Sequence, residues 1–133
     1  MIRDSAGNLY GTTDGGGVGG EGVVFKVDPA GDETVLHAFT GGADGGYPGF
    51  SGVIMDSAGT LYGTTAGGGN ALGAGVVYQI DKSGNETVLY TFTGGADGNE
   101  PNTGVILGPG GKLYGTTAFG GRTNAGVVFE IER

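Results

Sequence analysis

LYGTT occurs three times in this chain, at Leu9–Thr13, Leu61–Thr65 and Leu113–Thr117. Each copy begins 52 residues after the previous one. A turn sequence precedes each copy, and a glycine-rich loop followed by GVVF or GVVY comes after it. A period near 50 residues indicates a repeat architecture in which each period forms one structural unit.

Each period contains short runs with the β-branched and aromatic composition of strands, which we name a to d. No run has the 3.6-residue periodicity of an amphipathic helix. In the middle repeat, strands a to d are predicted at Val53–Asp56, Leu61–Thr65, Val76–Asp81 and Glu86–Phe92. In the first repeat they are predicted at Met1–Asp4, Leu9–Thr13, Val23–Asp28 and Glu33–Phe39. In the third repeat, which has no strand d, they are predicted at Val105–Leu107, Leu113–Thr117 and Val127–Glu132.

Four short antiparallel strands per period are typical of the blades of a β-propeller. The predicted fold is therefore all-β, a single repeat domain over residues 1–133 with about three blades, at 1–40, 52–92 and 104–133. In strand c, Val76, Tyr78 and Ile80 alternate with Val77 and Gln79, so both blade faces carry apolar residues. Glycine within LYGTT is expected to allow close approach to a neighbouring blade.

The connections between strands are of two lengths. Strands a and b, and strands c and d, are joined by tight turns such as SAGT and KSGN. The b–c and d–a connections are long and glycine-rich. Because b–c and d–a connections emerge at the same end of a four-stranded meander, the sequence predicts that all the long loops share one face.

Composition excludes several classes of function. The net charge is −8 with six Lys and Arg, which argues against binding to nucleic acid or to an anionic membrane. There is no cysteine, so neither a disulfide nor a thiolate metal site is possible. No apolar run approaches the length of a membrane span. The glycine runs lack the Lys-Ser/Thr of a phosphate loop, and no cofactor is expected.

The run GVIMDSAGTLYGTT…GVVYQIDKSGNETVLYTF resembles NHL-type propeller blades in its strand order and its D-x-x-G-x-L-Y turn. The fuller pattern of LYGTT, GG, GVVF and FTGGADGxxP resembles more closely the GloVer repeats, which occur in tandem in bacterial secreted or surface-anchored proteins. The resemblance covers essentially the whole chain. It implies a propeller-like array, a secreted or cell-surface location and no established activity. The chain opens with the polar turn sequence MIRDSAG, where we expect no signal peptide.

Candidate binding residues lie in the long loops. Asp44 and Asp97, in GGADG, are either Ca²⁺ or ligand carboxylates or, as we favour, turn residues that bond the backbone two residues on. Loop residues that differ between repeats could form a carbohydrate or peptide site, or could pack blade against blade. They are Tyr47, Phe50, Glu100, Asn102, Phe119, Arg122 and Asn124.

Other polar residues are interpreted as structural. His37 corresponds to Tyr90 in the next repeat, which favours packing, and no partner acid for a general base is evident near it in sequence. Asp4 and Asp56 are ordinary turn residues. No pair of acids recurs at the fixed offset of a catalytic dyad, so no enzymatic activity and no metal site are expected.

The preferred hypothesis is a non-enzymatic binding or scaffold module. Three blades are fewer than the four to eight of ordinary propellers. We therefore expect head-to-tail association that completes a ring, as a dimer in preference to a trimer or a filament. The alternatives are a structural self-assembly protein without a small ligand, and a carbohydrate-active enzyme that uses loop carboxylates.

Overall fold

The computed structural model describes all residues 1–133 and contains eleven β-strands in three antiparallel sheets. The first sheet comprises β1 (Ile2–Arg3), β2 (Leu9–Thr13), β3 (Val23–Val27) and β4 (Glu33–Ala38). The second comprises β5 (Val53–Met55), β6 (Leu61–Thr65), β7 (Val76–Ile80) and β8 (Glu86–Thr91). The third comprises β9 (Val105–Leu107), β10 (Leu113–Thr116) and β11 (Val128–Ile131), with a 3₁₀ turn at Pro109–Gly111. Every predicted strand is therefore present, although several are one or two residues shorter than predicted.

Strand order confirms the all-β, propeller-like prediction. Within each sheet the strands follow one another as a meander, and the third sheet has only three strands. The first strands of the three sheets, β1, β5 and β9, lie side by side. The sheets therefore radiate as three blades from one axis, and we number them in chain order. The structure contains no helix that is long and apolar enough to cross a membrane.

Two apolar clusters hold the blades together. Between blades 1 and 2, Val76, Tyr78 and Ile80 of β7 are fully buried with Val24 and Phe39 of blade 1. Between blades 2 and 3, Val77 joins the second cluster, which contains Phe92 and Phe129. The predicted alternation of strand c is thus confirmed, since its two faces serve two different interfaces. In each cluster, the phenylalanine after strand d packs edge-on against the aromatic ring in strand c of the next blade. The ring centroids are 5.1 Å apart in both pairs, Phe39–Tyr78 and Phe92–Phe129.

A β-bulge in strand d decides which residues reach these clusters. Tyr78 pairs with Val88 and Val77 pairs with Tyr90, so Leu89 is the extra residue, and Leu36 is its equivalent in blade 1. A bulge breaks the two-residue alternation of a strand. Leu36 and Phe39 therefore both contact the first cluster, although strict alternation would place them on opposite faces.

The expectation for the LYGTT glycine is wrong about what approaches it. Gly63 pairs with Tyr78 of its own blade, and a Cβ at Gly63 would lie 2.5 Å from the Tyr78 hydroxyl oxygen. The same overlap would occur between Gly11 and Phe25 and between Gly115 and Phe129. Glycine is required because the aromatic ring of strand c lies across strand b of the same sheet, not because a neighbouring blade comes close.

Candidate functional site

The long loops of adjacent blades bind one another directly. The d–a loop at 40–52 pairs with the b–c loop at 66–74 through Gly46 and Gly67, with N–H to O distances of 2.9 and 3.0 Å. The d–a loop at 93–104 pairs in the same way with the b–c loop at 118–125 through Asn99 and Phe119. We call the surface formed by these four loops and the b–c loop at 14–21 the long-loop surface. The loops share one face, as the strand order requires.

Tyr47 and Glu100 link consecutive blades through their backbones. The N–H of Tyr47 donates to the carbonyl of Glu21 in blade 1, and its carbonyl accepts from Ala66 in blade 2, at 2.8 and 3.1 Å. Glu100 makes the equivalent bonds to Ala74 and Ala118, both at 3.0 Å. Both residues have left-handed backbones, with φ of 58° and 55°. Such strained positions persist only where the surrounding structure holds them, and here the two bonds to adjacent blades do so.

The aspartates of GGADG are occupied by their own loops. Asp44 accepts bonds from the N–H and the hydroxyl of Thr40, at 2.9 and 2.5 Å, and Asp97 accepts the same pair from Thr93. They therefore bond a residue four positions earlier, not two positions later as predicted. Burial raises the pKa of the Asp44 carboxyl, but the bonds from Thr40 and His37 outweigh it and hold the pKa below its usual range. Each carboxylate closes its loop.

The equivalence of His37 and Tyr90 has a structural reason, and it corrects one expectation. His37 Nε2 lies 3.3 Å from Asp44 Oδ2, and the Tyr90 hydroxyl donates to Asp97 Oδ2 at 3.0 Å. Each ring also stacks edge-on against the phenylalanine two residues later. A partner acid for His37 thus exists seven residues along the chain. Because the position accepts either ring in the same bonding pattern, its role is to brace the loop.

The remaining candidate residues divide by exposure. Asn124 closes its own loop by accepting the N–H of Gly120 at 2.9 Å, and Asn102 is half-buried. Phe50 and Phe119 are 69% and 44% exposed, and Arg122 is exposed in the same loop as Phe119. Exposed aromatic rings and a cation on one surface are groups that can stack on and hydrogen-bond a polar ligand.

Each of the two junctions between adjacent blades has one aromatic ring in its paired loops, but the ring comes from a different loop in each. At the first junction the ring of Tyr47, 44% exposed, lies against Gly67. At the second junction the equivalent positions are Glu100 and Phe119, so the ring comes from the b–c loop instead. The long-loop surface therefore presents one partly exposed aromatic ring per junction.

No cluster of three His, Cys, Asp or Glu side chains in the structure could hold a metal ion. The GGADG aspartates are already bonded to threonine. Ca²⁺ takes six to eight oxygen ligands, which neither loop assembles from side chains.

Sequence reasoning missed an acid in the first junction. Glu86 begins strand d of blade 2, and its Oε1 atom is buried without a hydrogen-bond partner. Burial raises the pKa of this carboxyl to about 7, and the nearby charge of Asp44 adds to the shift. The buried hydroxyl of Tyr78 is also unpartnered, and burial together with Glu86 raises its pKa. Nothing in the sequence separates Glu86 from its exposed equivalent Glu33.

The opposite face, formed by the short turns, is braced by a recurring aspartate. Asp56 accepts the N–H of Thr60 and the hydroxyl of Tyr62, both at 3.0 Å, which explains the D-x-x-G-x-L-Y pattern. Asp4 makes the equivalent bonds in blade 1. In the third repeat Gly108 stands in place of the aspartate, and the ring of Tyr114 occupies the space that a Cβ at this position would take.

Arg133 adds a second contact that sequence reasoning missed. Its Nη1 donates to Asp56 Oδ2 at 2.6 Å and to the Tyr62 hydroxyl oxygen at 2.9 Å, and its guanidinium lies over the Tyr62 ring. This residue ties the end of blade 3 to the a–b turn of blade 2. Asp4 and Asp56, the recurring aspartates of the a–b turns, are therefore occupied by structural bonds.

Comparison with known families agrees with the geometry. The model of the Gloeobacter/Verrucomicrobia repeat matches residues 1–133. The chain belongs to this repeat family. Searches of curated proteins and of solved structures gave no match. The GloVer resemblance is thus confirmed over the whole chain, and the family description names a repeat and no activity.

Proposed function

We propose that this GloVer-repeat chain is a non-enzymatic β-propeller module that associates head-to-tail through its terminal blades and presents the long-loop surface for binding. The observation that carries the assembly is a difference in exposure between equivalent residues. Val24 and Val77 are completely buried, whereas Val128, at the same position of blade 3, is 80% exposed. Leu61 and Leu113 are at most 2% exposed, whereas Leu9 of blade 1 is 37% exposed.

The outer faces of blades 1 and 3 both carry exposed apolar side chains, and they are the two opposite faces of a blade. In blade 1, Met1, Leu9 and Val35 are 81%, 37% and 51% exposed. They lie on the face that, in blades 2 and 3, packs against the preceding blade. In blade 3, Ile106 and Val128 are exposed on the face that, in blades 1 and 2, packs against the following blade. Contact between these faces in two chains would repeat the interface already present twice within one chain. Burial of this area supports association, since about 25 cal/mol is gained per Å² of apolar surface.

Geometry favours a closed dimer. A heterologous contact closes into a ring when its rotation allows closure and otherwise continues as a filament. Two chains supply six blades, within the ordinary range of propellers, and three chains would supply nine. The chain contributes no edge strand at the contact itself, because the exposed faces are sheet faces and not strand edges.

Light scattering at micromolar concentration tests the assembly. We expect twice the chain mass of 13.1 kDa, and a folded species at the chain mass would overturn the proposal. Val128→Asp should return the protein to the chain mass without unfolding it, because this side chain is exposed in the single chain. Val18→Asp is the control, since Val18 is fully exposed in a b–c loop and belongs to no strand of either face. For the long-loop surface, a glycan array is the first assay, and its exposed aromatic rings are the groups expected to stack on sugars.

A further inference from the structure

A small cleft between blades 1 and 2 has a lysine on each of its two walls. Its volume is about 190 Å³, and it lies at the end of the junction nearer the short turns. Blade 1 contributes Tyr10, Lys26 and Leu36, and blade 2 contributes Leu61 and Lys82. Both walls belong to one chain, so the cleft exists without association between chains.

The register of the first sheet places Lys26 in this cleft. Lys26 pairs with Tyr10 on one side and with Thr34 on the other. Because Tyr10 packs against the apolar cluster between blades 1 and 2, its direct cross-strand neighbour lies on the same face. Lys26 is half-buried, and its ammonium group forms no ion pair within the chain. The equivalent residue of blade 2 is the uncharged Gln79, so this charge belongs to the first junction and not to the repeat.

Lys82 lies on the opposite wall, in the c–d turn of blade 2. Its stem packs over Gly59, where a Cβ would be 2.5 Å from the lysine Cε atom. Its ammonium group also forms no ion pair. The chain has six Lys and Arg, and Lys112 and Arg133 are paired with carboxylates. Two of the four unpaired basic side chains therefore line one small cleft.

At the second junction the equivalent place is occupied by a protein side chain. Arg133 is the blade 3 equivalent of Lys82, and its guanidinium lies over the ring of Tyr62 and donates to the Tyr62 hydroxyl oxygen at 2.9 Å. Tyr10 is the blade 1 equivalent of Tyr62, but Lys82 makes no such bond to it. The first junction therefore keeps a cleft beside its tyrosine, whereas the second is closed by arginine.

The one carboxylate that lines the cleft is held by its own turn. Asp81 accepts the N–H of Ser83 at 2.7 Å, and it accepts the backbone and side-chain amides of Asn85 at 3.0 and 2.9 Å. It lies beyond ion-pair distance from Lys26 and Lys82. The two ammonium groups are therefore free to donate hydrogen bonds to a ligand.

We propose that this cleft binds an oxyanion, the carboxylate or phosphate group of a small ligand, between the ammonium groups of Lys26 and Lys82. Ammonium groups bind such oxygens through charge-assisted hydrogen bonds. Pockets that enclose drug-sized ligands have volumes of about 300–1,000 Å³, so this smaller cleft takes a small anion or the end group of a larger molecule. The net charge of −8 opposes anion binding at long range, so we expect millimolar affinity.

Titration of the whole chain with inorganic phosphate and with acetate, followed by two-dimensional NMR, tests the proposal. Saturable shifts should appear at the backbone amides of Tyr10, Lys26 and Gly59 and not in the long loops. Sodium chloride at the same ionic strength should not produce them. The anion that binds more tightly identifies the ligand class as phosphate or carboxylate. If neither anion gives saturable shifts at these amides, the proposal is wrong.

Substitution of each lysine tests its contact. Lys26→Gln and Lys82→Gln should each weaken anion binding by about tenfold, the effect of losing one hydrogen bond from a charged group. Lys26→Gln introduces the residue that blade 2 already has at this position, so the sheet should keep its stability. Arg3→Gln is the matched control, because it also removes one unpaired positive charge and Arg3 does not line the cleft. Equal weakening by all three variants would indicate attraction to net charge alone and would overturn the proposal.

Thermal melts give a second readout. Phosphate should raise the melting temperature of the unsubstituted chain and of Arg3→Gln, and should raise that of the two lysine variants less, because a ligand that binds only the folded state stabilises it. An equal rise in all four proteins would contradict binding at the lysines. The cleft is separate from the long-loop surface and from the assembly contact, so failure of either of those proposals leaves this result unchanged.

Discussion

At the scale of single residues, one carboxyl group combines burial with the absence of a hydrogen bond. Glu86 lies in the junction of blades 1 and 2 near Asp44, and its pKa is raised to about 7 from the ordinary 4.5. The folded chain therefore binds a proton here that the unfolded chain has lost. This group's contribution to stability is full below pH 4.5 and is lost as the pH rises through 7.

Glu86→Gln should remove this pH dependence. We expect the substitution to raise the melting temperature relative to the unsubstituted chain at pH 8, and to have a smaller effect at pH 5, because glutamine carries no charge in either state. Thermal melts followed by circular dichroism at the two pH values measure the difference. The control is Glu33→Gln, the exposed equivalent in blade 1.

An equal change in melting temperature at both pH values would contradict this account of Glu86.

The carboxyl groups whose pKa is lowered affect stability in a different pH range. Those of Asp44, Asp56 and Asp97 lie below the ordinary 3.8, so they lose their stabilising effect only as the pH falls through the acid region. Their stabilising effect is constant between pH 5 and pH 8, so they add no pH dependence in that range.

At the scale of the strand, the glycine of LYGTT connects sequence to packing most directly. The ring of Tyr78 lies across Gly63, and both residues are buried in the middle blade. An aromatic side chain that covers a glycine on the neighbouring strand supplies packing that the glycine lacks. The pairing requires that no Cβ stands between the two backbones.

Gly63→Ala should destabilise the chain by about 1–3 kcal/mol, the usual cost of overpacking a buried site. The buried Tyr78 ring cannot move aside without disturbing the cluster between blades 1 and 2. Urea unfolding measures the change. Gly15→Ala is the matched control, because a Cβ there would meet only one atom, at 3.7 Å. If the two variants unfold at the same urea concentration, the ring does not constrain this position.

At the scale of the whole molecule, strand order separates two faces with different chemistry. The short-turn face has its aspartates occupied by turn backbones and by Arg133. The long-loop surface leaves Phe50, Phe119 and the ring of Tyr47 partly or largely exposed. The proposed glycan-binding site therefore lies on the second face.

Tyr47→Ala and Phe119→Ala should therefore weaken, by about fivefold, the binding of a glycan identified on the array, which is the scale of one stacking contact of about 1 kcal/mol. Neither should lower the melting temperature much, because both rings are 44% exposed and their blade-linking bonds come from the backbone. Ser57→Ala and Ser83→Ala, in the short turns, should leave binding unchanged. Equal losses from both pairs of variants would refute the assignment of binding to the long-loop surface.

The local sequence pattern by itself determined the secondary structure of this protein and the order of its strands. The strands, the order of strands and the common face of the long loops all follow from a 52-residue period with turn residues between β-branched runs. The apolar character of both faces of each blade follows from the same period, since a repeat of this kind buries its faces against its neighbours. These features depend on residues close in sequence, so they can be read from it.

Other features depended on the tertiary structure, because the residues involved meet only after the blades have packed. Arg133 reaches Asp56, 77 positions away. Glu86 differs from Glu33 only because blade 1 lies in front of it, and the β-bulge that places Leu36 and Phe39 in one cluster leaves no mark in the alternation of strand d. Burial, and with it the shifted pKa of Glu86, is decided by what each equivalent strand is packed against.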